Sequence, residues 1–422
     1  MLVSLFDTAM VGRLPNSKVA LAALGITFLT SWVITSLFSS ISTGTHVLIA
    51  RRQGEENKVG AGTVLNNSLA MAIIFGLVVS TLGYFYSFEI VDFFSNDPAV
   101  AHEGTDFMLY KFLGLPFFLI IVSYRSFFMG IGHTKVFLVS SIIVMVVHII
   151  LNVLLVFGNL GFPAMGLAGA GAASFYSMVV GALFFIFVTF FREYRITYSL
   201  FKHIRISKDI IRQILKISIP VSLQNVMILL GFLIFISVTG IIGTAEQAAS
   251  QVVVSALFIS LTVVFGLGAA AQTLVGQSLG RENTIRAQMY GFETTKICTI
   301  YTVVIGIIFI LLPDLVLKII TTNREVIEIA RPLLQIAGFA QIFYGGGIIL
   351  AYSLQSAGAT VYVMVIEVVT HWIIFLPLTY VYGVVLGGGI SGAWWALPVY
   401  TITFLLLNYF KFSSKTWMAL KI

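Results

Sequence analysis

Long apolar runs separated by short charged or turn-rich breaks recur twelve times along this chain. They cover residues 1–12, 20–50, 61–94, 106–131, 136–158, 166–191, 217–242, 247–279, 288–319, 327–357, 360–384 and 389–410. Several exceed the ~20 residues that an α-helix needs to cross a bilayer, which implies tilt or extension past the membrane. A β-barrel is the other structure that satisfies its backbone in lipid, but its strands alternate apolar and polar positions, and these runs do not. The pattern therefore predicts an all-α polytopic membrane protein with twelve transmembrane helices. The first run is short: twelve residues rise about 18 Å against a hydrocarbon core of ~30 Å. It lacks a basic start and carries Asp7 in mid-run, so it does not read as a signal peptide. It is expected to be a first helix missing its opening turns.

The runs fall into two equivalent sets. An offset of 226 residues lays Gly54, Glu56 and Asn57 on Gly280, Glu282 and Asn283, and Ala22 and Ala23 on Ala248 and Ala249. The same offset pairs Val100 with Val326, Gly132 with Gly358 and Thr134 with Thr360. After a slip of three residues, His148 falls on His371, Gly166 on Gly389, Gly169 on Gly392 and Ala170 on Ala393. Duplicated halves in an apolar chain mark many transporters, in which substrate binds between two repeats. The expected organisation is two pseudo-symmetric six-helix lobes, residues 1–191 and 217–422, joined by a basic cytoplasmic linker at 192–216.

Composition narrows the class. Hydrophobic residues are 59% of the chain and charged ones 10%, against about 25% charged in soluble domains. Much of that apolar surface must face lipid, so the bilayer itself is a partner. Loops on the side of the C-terminus carry about 16 of the 24 Lys and Arg, and the opposite loops about five. The positive-inside rule then places both termini in the cytoplasm of an inner-membrane protein. The net charge of +7 belongs to this orientation and does not point to nucleic acid. A single cysteine, Cys298, excludes a disulfide framework and a cysteine-based metal site.

Ionisable groups inside a bilayer are costly and are functional candidates by default. Most acidic residues fall in loops or beside them, and Glu293 has Lys296 three residues on as a helix-surface partner. Asp7 and Glu367 remain as the deep carboxylates. A carboxyl shut away from water is costly to ionise, which makes Asp7 a candidate proton carrier; a bound cation such as Na⁺ is the other reading. His148 and Asn152 are four apart on the fifth helix and could tune that site. Glu367 and His371, also four apart, share a face of the eleventh helix and could share a proton or attract a cationic substrate. Gln251 and Asn225 are further polar candidates for a substrate cavity, while other amides serve helix–helix contacts. Lys111 and Arg125, on the fourth helix, are expected to snorkel toward the outer and cytoplasmic faces.

Enzyme signatures are missing: there is no HExxH, no Walker-type loop, no GxSxG and no Cys/His ligand spacing. No catalytic residue, cofactor or protein-bound metal is expected. Pumping would draw on an ion gradient.

The stretches LFDTAMVGRL (5–14), ALAALGI (20–26), LIARRQGEEN (48–57) and ILNVLLVFGNLGFPAMGLAGAGAAS (150–174) form an ordered set. So do AASQVV (248–253), LVGQSLGREN (274–283), WIIFLPL (372–378) and GGGISGAWWA (387–396). Together they resemble the multidrug and toxic compound extrusion (MATE) family over nearly the whole chain. The resemblance implies a two-lobed, twelve-helix exporter that exchanges H⁺ or Na⁺ for drugs and metabolites, often organic cations. The family's first-helix Asp matches Asp7. Its fifth-helix Asn-x-x-x-Asp is here His148 and Asn152, so a second N-lobe carboxylate is replaced by an amide. A seventh-helix Glu of other branches is replaced near Ile228, and an Arg before the eleventh-helix proline is Phe375. The Asp of two Gly-Asp-Thr turns is His133 and Ala359. The expected protein is thus a monomeric exporter of small, often cationic organic compounds, coupled to H⁺ rather than Na⁺ because one carboxylate makes a poor metal cage. The ion site would be Asp7, His148 and Asn152, with Glu367, His371, Gln251 and Asn225 lining the substrate cavity. A flippase for lipid-linked saccharide is the alternative, and it would need Lys111 and Arg125 both turned inward.

Overall fold

Lipid fixes which residues are apolar, whereas capping groups fix where a helix ends, and the two do not coincide in this protein. The computed structural model describes residues 2–95, 97–202 and 206–420, and these hold helices and no strand. The chain opens with α1 (Leu2–Val11), α2 (Ser17–Ser39) and α3 (Ile41–Gly54), the last two forming one apolar segment across Ser40. It continues through α4 (Lys58–Phe94), α5 (Pro98–Gly130), α6 (Thr134–Phe157), α7 (Gly166–Thr189) and the short α8 (Arg192–Thr197). The second half holds α9 (Lys208–Ile242), α10 (Thr244–Gly280), α11 (Thr284–Leu311), the short α12 (Pro313–Ile320) and α13 (Arg324–Ser356). A broken helix follows, α14 (Thr360–Val368) and α15 (Leu376–Tyr380) with π-helical turns at Val369–Phe375 and Val381–Val385, then α16 (Gly389–Ser413). Among the described residues, eleven segments are long and apolar enough to cross a membrane, and the ten-residue α1 is the short member of the expected twelve.

Several helices outrun their apolar segments. α4 begins at Lys58, not 61, because Asn57 Oδ1 accepts the Gly60 amide. α5 begins at Pro98, eight residues early, because Asp97 Oδ1 accepts the Ala99 amide and proline suits the first turn. Part of the basic stretch 192–216 is helical too, in α8 and the start of α9, while its residues 203–205 lie outside the described residues.

The chain divides into two compact units, Met1–Ile49 with Asn57–Leu215, and Ala50–Glu56 with Lys216–Ile422. In the first, α5 packs on α4, α7 and α2, and the Tyr124, Phe128 and Phe185 rings stack in its interior. In the second, α13 packs on α10, α11 and α16, with Trp394, Phe404 and Phe412 fully buried. Segment 50–56 sits in the second unit against the end of α10. A Cβ on Gly54 would strike the Gln277 carbonyl, and one on Gly280 would strike the Arg51 carbonyl. Arg51 and Gln277 are themselves related by the 226-residue offset, so the contact is reciprocal.

The duplication recurs in local geometry. Asn57 and Asn283 cap their helices in the same way, accepting from Gly60 and Arg286. Glu56 and Glu282 both take the left-handed conformation, at φ 58° and 56°. Gly132 and Gly358 share φ values of 87° and 91°, which a side chain would strain.

Candidate functional site

The short α1 buries one face, on which Asp7 and Val11 are one turn apart. α6 turns His148 and Asn152, also one turn apart, to the same place. All three are buried, at 4%, 1% and 1% exposure. His148 Nε2 lies 2.8 Å from Asp7 Oδ1, and Asn152 Nδ2 donates to the same oxygen. Asn152 Nδ2 and His148 Nε2 are 3.2 Å apart. With its amide nitrogen spent on Asp7, Asn152 has a buried Oδ1 without a partner.

Above this triad sits an apolar cluster that includes Val11, Leu14, Phe107, Val156, Leu167 and Ala170. Four of its members lie four residues from a polar one: Val11 from Asp7, Val156 from Asn152, Phe107 from Lys111, and Ala170 from Ser174. Successive long helices run in opposite directions, so α1 and α6 approach the cluster while α5 and α7 leave it. Each of the four polar residues therefore lies one turn, about 6 Å, along its own helix from a member of the cluster. Lys111 Nζ donates to Ser174 Oγ at 3.0 Å and rests 5.0 Å from the Phe107 ring centre.

This corrects the expectation that Lys111 snorkels outward. Phe107, one turn back along α5, lies beneath the ammonium, and Ser174 of α7 supplies its acceptor. Arg125 is exposed and stacks over Phe137 at 4.7 Å. A cavity of about 350 Å³ is lined by Ala99, His102, Glu103, Asp106, Met165 and Ala168. On α5 and α7 these residues alternate with Val100 and Leu167 of the cluster, so the cavity lies beside it.

In the second unit, Glu367 is buried and takes its hydrogen bond from Tyr400 Oη, whose own neighbour is Tyr344 Oη at 3.4 Å. His371 is not its partner. Both ring nitrogens of His371 are buried without a hydrogen bond, and the ring meets Phe375 and Tyr400 edge-on, 5.2 and 5.4 Å between centres. The expected Glu–His pairing assumed α-helical spacing, and the π turn that begins at Val369 breaks it. Space for the imidazole comes from α9, where a Cβ on Gly231 would overlap the ring. Gln251 is exposed on α10 and Asn225 half-buried on α9. Among the described residues, no group of three or more His, Cys, Asp or Glu side chains is disposed to hold a metal ion.

Sequence reasoning missed Ser174, Tyr400 and Tyr344, since a hydroxyl in an apolar helix gives no periodic signal. Lys111 was visible as an intramembrane cation, but its direction was not.

A family profile described as MatE matches residues 1–154 and 220–381. The chain is 26% identical over 425 residues to "Probable multidrug resistance protein NorM" of Thermotoga maritima, covering 99% of this chain and 89% of that one. It is 23% identical to "Probable multidrug resistance protein YoeA" of Bacillus subtilis, covering 92% and 85%. A solved structure, "Crystal structure of MATE in the bent conformation", superposes with a TM-score of 0.90 at 19% identity, covering 98% of this chain and 91% of that one.

Proposed function

The chain belongs to the MatE family, and from that premise we propose that it is a secondary active exporter that exchanges H⁺ for small organic compounds across the cytoplasmic membrane. Family membership makes it a membrane transporter rather than an enzyme. The observation that carries the ion reading is the buried Asp7 carboxylate, met by His148 and Asn152. Both groups present nitrogen to one carboxylate oxygen. An N–H donor stabilises an anion, whereas a hard cation such as Na⁺ requires several oxygen ligands. A proton arriving at Asp7 removes the charge those donors serve, so the layer can hold two arrangements, and two repeats can be biased between outward and inward openings. The membrane potential contributes about 2.3 kcal/mol per charge per 100 mV to such a cycle.

The names of the relatives support multidrug substrates. Cationic compounds fit best, since Glu367 is the second deep carboxylate and Gln251 and Asn225 add neutral polar groups. The basic loops favour cytoplasmic termini. The protein is expected to work as a monomer without a cofactor beyond the coupling ion. The flippase reading is not favoured, because the matched relatives carry multidrug-resistance names.

The test is efflux of a fluorescent cation from proteoliposomes under pH and Na⁺ gradients imposed separately. Asp7→Asn is expected to abolish ion-driven efflux while still inserting as a monodisperse protein. Full efflux by that variant would overturn the reading.

A further inference from the structure

The junction of α7 and α8, in the first unit, carries an exposed aromatic surface that transport chemistry leaves unused. Exposed apolar side chains recur on α7 at Tyr176, Leu183, Phe187 and Phe190, the spacing of one helix face. That surface does not stop where α7 ends at Thr189. Phe187 meets Phe191 edge-on at 5.2 Å, Phe190 lies 6.5 Å from Phe201, and all four rings are more than a third exposed. The Arg195 guanidinium stands over the Phe190 ring, 5.8 Å from its centre, within the range of a cation–π contact. Arg192 and Lys202, both exposed, adjoin Phe191 and Phe201 in sequence. Residues 187–202 thus hold three cations and one carboxylate, Glu193. Among the described residues, no carboxylate comes within 4.0 Å of Arg192, Arg195 or Lys202. The segment is fixed from its other side. Tyr194 and Tyr198, one turn apart, are buried. Tyr194 Oη is 2.9 Å from His133 Nδ1, the Tyr198 ring packs edge-on against Phe127, and a Cβ on Gly62 of α4 would strike the Tyr198 carbonyl. A backbone held in this way presents the rings and the guanidinium at little ordering cost.

Exposed rings and un-neutralised cations at the end of a membrane-spanning helix suit a molecule with both an oily and an anionic part. We infer that this junction is a binding site for an anionic glycerophospholipid: Arg195 meets the phosphate, Arg192 and Lys202 answer the net charge of the headgroup, and Phe187, Phe190, Phe191 and Phe201 lie against the acyl chains. A guanidinium suits the phosphate because it offers paired N–H donors in one plane. A zwitterionic lipid has the same phosphate, but it adds an ammonium that the three cations repel. A free phosphate has no chains and gains nothing from the rings, so the site selects the lipid.

The experiment titrates phosphatidylglycerol or phosphatidylcholine into the detergent-purified full-length protein and reads bound lipid by native mass spectrometry. Wild type is expected to bind phosphatidylglycerol in preference to phosphatidylcholine. Arg195→Gln is expected to weaken phosphatidylglycerol binding about fivefold, the weight of one basic residue at an anionic surface, and R192Q/R195Q/K202Q about 100-fold. The double variant F190S/F201S keeps the net charge and is expected to bind more weakly as well, because it removes apolar cover for the chains. Arg286→Gln takes away an exposed cation near the start of α11, in the second unit, and should bind as wild type does. Equal binding of the two lipids by wild type overturns the inference, and so does a triple variant that binds phosphatidylglycerol undiminished. A loss in R286Q equal to that in R195Q would reveal a diffuse surface attraction, which also overturns it. Undiminished binding by F190S/F201S removes the seat for the chains and the site with it.

Discussion

Asp7 and Glu367 are both carboxylates buried in apolar helices, yet their surroundings suit different work. Asp7 meets an imidazole and an amide, two nitrogen groups on one carboxylate oxygen. Glu367 meets one phenol, Tyr400, inside a wall of rings that includes Tyr344, Phe375 and Phe404. A buried acceptor stripped of its only donor loses about 1–3 kcal/mol, and more if charged. Tyr400→Phe is accordingly expected to lower the thermal stability of the purified protein more than Glu367→Gln does. The double substitution E367L/Y400F should recover most of the loss, because it removes both the orphaned group and its partner. A Y400F melting temperature equal to wild type would show that the bond carries no stability. Neither tyrosine was legible in the sequence as a partner of Glu367. A hydroxyl 33 residues downstream has no spacing rule to reveal it, whereas His371, four residues away, had one and proved to be the wrong neighbour.

At the scale of elements, the apolar runs located the helices and the caps moved their ends. Asn57, Asp97 and Asn283 were in view in the sequence, but a side chain becomes a cap only where the backbone turns to present its amides. The π turns of the eleventh span pack on α16, and Pro377, just past the first of them, removes a helix N–H there. The close approach of segment 50–56 to α10 gives a sharp test. Gly54→Val and Gly280→Val each push a side chain into a backbone carbonyl, Gln277 and Arg51 respectively, where neither atom can swing aside. Each is expected to cost about 1–3 kcal/mol or more, read as loss of the monodisperse peak in fluorescence-detected size exclusion after heating. Gly25→Val is the control: nothing lies within 4 Å of its Cβ position, so its profile should match wild type. Equal behaviour of all three would mean that the contact is not tight.

For the whole molecule, charge distribution carries a prediction about orientation. With the termini in the cytoplasm, a cysteine placed at Ser414 in intact cells should resist a membrane-impermeant maleimide and react once the membrane is opened. The native Cys298 is buried and should stay silent in both conditions, which removes the need for a cysteine-free background. Labelling of S414C in intact cells would invert the assignment. Helix count, duplication and membrane residence follow from the order of residues alone, because lipid solvation, the turn preference of glycine and repeat identity act through local chemistry or simple periodicity. Asp7, His148 and Asn152 could be read together because two are one helical turn apart and the third is a rare charge in oil. The direction of Lys111, the meeting of Tyr400 with Glu367 and the isolation of His371 were decided only by tertiary packing. A side chain's partner is whatever the neighbouring helix brings within 3 Å, and the chain does not state which helix faces which until it has folded.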